Sequence, residues 1–133
     1  MRLLRDASRL SGLTVRRPVQ TATVSANRYG ALYARAWSRE YPSALRRTDV
    51  TVYGRLGLTG RSSKVEPARA WYNISARRLF VQQRPAAQRR ILINELVRAL
   101  IDQNFRLGRV VGLRTRDRDR WLAARGIVNG TAA

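Results

Sequence analysis

Residues 33–42 read Tyr33-Ala34-Arg35-Ala36-Trp37-Ser38-Arg39-Glu40-Tyr41-Pro42. Tyr33 and Trp37 lie one helical turn apart, and Tyr29, Leu32 and Ala36 fall on the same side, so the spacing predicts a helix with one apolar stripe. Ser25 is the expected N-cap, and Pro42 stops the helix. Arg28, Arg35 and Arg39 are separated by seven and four residues, which aligns them as a second stripe beside the first. One helix therefore offers an apolar face and a guanidinium face.

Outward from this helix the pattern first weakens and then returns. Between Pro42 and Pro67, Asp49-Val50-Thr51-Val52-Tyr53 suggests a short strand, while Gly54, Gly57 and Gly60 with Ser62 and Ser63 read as an irregular loop. The glycines of Gly54-Arg-Leu-Gly57-Leu-Thr-Gly60 lack the strand–turn–helix setting of a phosphate loop. From Pro67, favoured in a first helical turn, Ala70, Trp71, Ile74, Leu79, Phe80 and Val81 predict a second amphipathic helix that carries Arg77 and Arg78. A third, over residues 86–103, is apolar on more than one side (Ile91, Leu92, Ile93, Leu96, Val97, Leu100, Ile101) and is the expected centre of the core. Phe105 to Leu113 suggests a short fourth helix or an extended segment.

Composition bounds the function. The 133 residues include 27 basic and 8 acidic side chains, a formal net charge of +19, with no histidine and no cysteine. Lys64 is the only lysine, so the charge is almost entirely guanidinium, the group that pairs in two-point fashion with carboxylate and phosphate. Such a chain repels itself unless it meets something negative. Without histidine or cysteine the usual proton shuttle, metal ligands and thiol nucleophile are missing. The eight carboxylates are scattered, and neither a catalytic residue nor a metal site is expected.

No stretch approaches the roughly 18 apolar residues that suggest a membrane-spanning helix. The first 20 residues set Arg2, Arg5, Arg9, Arg16 and Arg17 among leucines and hydroxyls with Asp6 as the only acid, the composition of a mitochondrial targeting segment. A basic arm that docks on a neighbour fits the same residues, and a retained import signal satisfies both. The expected organisation is a basic arm over residues 1–24, a helical domain over 25–113 and a charged, irregular tail over 114–133.

The run Ala36-Trp37-Ser38-Arg39-Glu40-Tyr41-Pro42, preceded by Tyr33-Ala34-Arg35, resembles the first helix of the mitochondrial LYR-motif family, whose Leu-Tyr-Arg triplet is followed by further basic residues. Leu32-Tyr33-Ala34 is a second register for the triplet. Ala76-Arg77-Arg78-Leu79-Phe80 is similar to the family's basic and phenylalanine segment, and Leu100-Ile101-Asp102-Gln103-Asn104 to its third-helix ending, with Asn104 where glycine is usual. The resemblance covers residues 25 to 110 and implies an all-α, antiparallel three-helix bundle near 25–41, 67–83 and 86–103.

It also implies an acidic acyl carrier protein docked on Arg28, Tyr33, Arg35, Arg39, Arg77 and Arg78. The partner's 4'-phosphopantetheine-linked acyl chain would enter a slot lined by Trp37, Phe80, Leu96 and Leu100, with no cofactor bound by the chain itself. The function so implied is a non-catalytic accessory subunit of respiratory complex I, among other complex I subunits on the matrix side of the inner membrane, or an assembly chaperone using the same bundle. The competing expectation, which composition favours, is a mitochondrial ribosomal protein that binds rRNA through its arginine-rich surface.

Overall fold

The computed structural model describes residues 2–56, 68–84, 87–111, 116, 117, 119–124 and 126. The fold is mixed α/β. Helix α1 spans Arg2–Ser11, strand β1 Gln20–Val24, helix α2 Ala26–Glu40 and helix α3 Ser43–Arg55. Strands β2 (Ala70–Asn73) and β3 (Arg78–Gln82) follow, then helices α4 (Arg89–Phe105) and α5 (Gly108–Val111). The sheet order is β1-β3-β2, with β1 parallel and β2 antiparallel to β3.

This overturns the all-α three-helix bundle. The second expected helix, 67–83, is a hairpin, and its alternation explains why. Ala70 and Tyr72 are buried on one face with Leu79, whereas Trp71 and Phe80 turn to the other, a period of two that a helix cannot satisfy. Asn73 starts the turn by accepting the Ala76 N–H on its side-chain oxygen at 2.9 Å. Arg77 closes it with φ 50°, a left-handed conformation uncommon outside glycine.

The segment read as an irregular connection holds α3, with Pro42 in the N-cap position. The strand suggested at Asp49 to Tyr53 is therefore helix, while Gly57, Gly60, Lys64 and Pro67 lie outside the described residues. In the segment read as an irregular tail, residues 119–124 are helical, and the rest of 112–133 is described only at Arg116, Asp117 and Gly126. The left-handed residue that ends α4 is Arg106, at φ 55°, two positions beyond Asn104.

Two expected helices stand. α2 runs from Ser25 at the N-cap position to Tyr41 at the C-cap. α4 is central, as its apolar surface requires: one side lies on the sheet, and α1 packs against another. Leu96, Val97, Ala99, Leu100 and Ile101 meet Tyr72, Leu79 and Ala70 in one core. The N-terminal segment is part of this domain, since Ala7 of α1 is fully buried in that core, with Leu3, Leu4 and Leu13 around it. Gly12, at φ 67°, ends α1 in the left-handed conformation that glycine adopts freely. Among the described residues no helix is long and apolar enough to cross a membrane.

Candidate functional site

The aromatic residues of α2 form a ladder. Tyr29, Tyr33, Trp37 and Tyr41 recur every four residues, with ring centroids 6.3 Å apart for Tyr29–Tyr33 and Tyr33–Trp37 and 5.5 Å for Trp37–Tyr41. Tyr33 meets Trp71 edge-on at 5.4 Å, and Trp71 stacks on Phe80 at 5.7 Å. The ladder thus fastens α2 to the sheet face opposite α4. Tyr29, the most buried rung, donates its hydroxyl to the Ala68 carbonyl, and burial, reinforced by the charge of Glu95, raises its pKa.

The expected acyl slot is not assembled. Trp37 and Phe80 belong to the α2 side of the sheet, whereas Leu96 and Leu100 are packed in the α4 core on the other side. The expected docking residues also separate. Arg28, Arg35 and Arg39 are exposed along α2, a stripe that the helical repeat sets roughly 160° from the aromatic one, on nearly the opposite side of the helix. Tyr33 lies within the aromatic seam, and Arg77 and Arg78 are exposed at the hairpin turn. The α2 stripe is a real surface feature, but the six residues do not share one face.

Among the described residues, three of the eight carboxylates are buried. Glu95 is buried, accepts the Tyr72 N–H at 2.9 Å on one oxygen and pairs with Arg98 at 2.9 Å on the other. Asp102 is buried and accepts the Tyr72 hydroxyl at 2.8 Å; Asp49 is buried and accepts the Tyr41 hydroxyl at 2.5 Å. Asp6 pairs with Arg89 at 2.7 Å. Burial of Asp49, Glu95 and Asp102 leaves the exposed arginines, already in large excess, still fewer carboxylates to pair with.

Burial raises the Glu95 pKa, and the Arg98 charge and the Tyr72 N–H only partly offset it. A carboxyl with a raised folded pKa contributes stability that is fully present below its unfolded value, near 4.5, and is lost as pH rises through the folded value. Glu95→Gln keeps an acceptor for Tyr72 and cannot ionise. Urea midpoints should therefore show wild type losing stability relative to this variant as pH rises from the ordinary glutamate range toward neutrality. A difference that stays flat or grows would contradict this.

Three neutral side chains complete the surface; Gln103 and Asn104 were singled out only as part of a helix ending, and Gln20 by no motif. Gln103 Oε1 accepts the backbone N–H groups of Arg16 and Arg17 at 3.0 and 3.2 Å, and its Nε2 donates to the Arg17 carbonyl at 2.9 Å. Asn104 accepts from Arg16 Nε at 2.9 Å and donates to the Thr14 carbonyl at 3.0 Å. Gln20 accepts from Arg78 Nη2 at 3.0 Å across the parallel β1–β3 pair. The signal was only an amide pair near the end of an apolar helix, and its partners lie more than eighty residues away.

No family model matches the chain, and neither a curated protein nor a solved structure matches it.

Proposed function

We propose that this protein is a non-catalytic RNA-binding protein of mitochondrial ribosomal type, whose guanidinium surface holds RNA phosphates. The observation that carries the reading is the segregation of charge. Asp49, Glu95 and Asp102 are buried, while exposed arginines lie on α1, α2, α3, the β2–β3 turn and the start of α4. A positive surface spread over so many elements suits a polyanion that touches several of them, and phosphate neutralisation supplies most of the affinity in such complexes. The arginine-rich, acid-poor N-terminal segment supports the mitochondrial setting.

A second reading has one observation in its favour. The exposed Arg28, Arg35 and Arg39 stripe on α2 could dock an acidic acyl carrier protein in a respiratory complex, without an acyl slot of the expected kind. Ultraviolet crosslinking of the protein in its native cells, followed by identification of what copurifies, separates the two. Crosslinked rRNA with ribosomal proteins is the expected result. Recovery of respiratory subunits with an acyl carrier protein and no RNA would overturn the first reading for the second.

A further inference from the structure

Arginines from two distant parts of the chain meet at one end of the sheet, and neutral amides hold them there. Arg16 and Arg17 precede β1 and are fixed at the main chain by Gln103, and Arg16 also at its side chain by Asn104, near the end of α4. Arg78 opens β3 and is steered by Gln20, its register partner on β1. Arg77 is set beside it by the left-handed turn. The charges of Arg17 and Arg77 both reach the Tyr72 hydroxyl, where they oppose the rise that burial and Asp102 impose on its pKa. Two segments sixty residues apart in sequence thus face one point.

The choice of amides matters. A guanidinium held by a carboxylate is neutralised, whereas one held by an amide keeps its full charge and most of its five donors for something else. Asp102, the acid beneath this end, is buried and takes the Tyr72 hydroxyl. Phe105, the residue after Asn104, is 66% exposed and makes no ring contact among the described residues. An exposed ring one residue beyond the amide that holds Arg16 offers a stacking surface at the same end of α4.

We propose that this end of the sheet binds a single-stranded RNA segment, with Arg16, Arg17, Arg77 and Arg78 on its phosphates and an unstacked base on Phe105. The proposal rests on the RNA-binding reading and adds the site and the strandedness. A duplex keeps its bases stacked and gains little from a free ring, while a single strand presents base faces that an aromatic side chain can cover. An acidic protein would need apolar area to bury, and among the described residues the large exposed apolar side chains at this end are Phe105 and the 38% exposed Val15.

Anisotropy titrations of the full chain with labelled oligouridylate, an RNA duplex of equal charge and polyglutamate test it. The variants are Arg16→Ala with Arg17→Ala, Arg77→Asn with Arg78→Ala, and Phe105→Ala. Asparagine is chosen because it tolerates the left-handed conformation of Arg77, and alanine at 16 and 17 keeps the main-chain bonds to Gln103. Arg46→Ala with Arg47→Ala on α3 removes the same charge elsewhere.

Each end pair should weaken oligouridylate binding about tenfold or more, and the α3 pair only about threefold. Phe105→Ala should cost about fivefold or more on the single strand and leave the duplex unchanged. If the α3 pair costs as much as the end pairs, the site is wrong while RNA binding stands. Wild type that binds no RNA overturns both. Polyglutamate bound as tightly as oligouridylate overturns the nucleic-acid occupant, and a Phe105 variant without effect on the single strand overturns strandedness. Circular dichroism checks each fold, and if one end pair unfolds, the other decides.

Discussion

Leu100→Ala should lower the stability of this protein by about 3–5 kcal/mol, the cost of lost burial plus the cavity left behind. Leu100 has no exposed surface and lies in the core where α4 meets the sheet, among Leu79, Tyr72, Leu96 and Ile101. That core is closed on both sides of α4, by the strands and by α1, so the site has little room to collapse around a missing isobutyl group. A domain of this kind has about 5–15 kcal/mol in total, so one substitution removes a third or more of it. Leu10 of α1, 69% exposed, is the internal comparison, and Leu10→Ala should change stability by about 0.5 kcal/mol or less. Urea unfolding of the two variants measures both. Equal losses, or a loss below about 1 kcal/mol at Leu100, would mean that α4 is not the centre of the core.

The same substitution bears on how Leu96 and Leu100 function. A leucine that lined a ligand slot would border open space, and its truncation would enlarge a space already present. Buried as they are on the α4 side of the sheet, these residues support the fold, while the aromatic ladder on the other side holds α2 in place. The guanidinium surface is therefore carried by a scaffold braced on both sheet faces.

What could be read from the sequence followed the range of the interactions. α2 and α4 were legible because their apolar residues repeat at helical spacing within single segments, with Ser25 and Pro42 marking the ends of α2. The hairpin was not, since Ala70, Ile74, Arg77 and Val81 also fit a helical stripe. Alternation over a four-residue and a five-residue strand is a weak signal. Its decisive partner is β1, which pairs with β3 from nearly sixty residues away. At α3 the β-branched Val50, Thr51 and Val52 suggested a strand. The helix that forms there instead places Asp49 under the Tyr41 hydroxyl, a contact that no local pattern announces.

The candidate site divides in the same way. Charge and arginine preference were plain from composition, and the Arg28, Arg35 and Arg39 stripe from helical spacing. The convergence of Arg16 and Arg17 with Arg77 and Arg78 depends on the parallel β1–β3 register and on Gln103 and Asn104, all of them long-range. The inward turn of Glu95 and Asp102 follows from their place on the buried face of α4, where Tyr72 supplies a donor to each. Buried polar groups of this kind need partners, and here one tyrosine on a strand provides both.

The salt dependence of RNA binding by the wild-type chain counts the phosphates that its guanidinium surface holds. Each phosphate neutralised on a single strand contributes about −0.7 to the slope of log affinity against log salt. An arginine surface that engages about six phosphates should then give a slope near −4 and lose roughly 300-fold in affinity between about 50 and 200 mM salt. A straight line of that steepness is expected. Undetectable binding at low salt, or binding with a slope shallower than about −1, would contradict it.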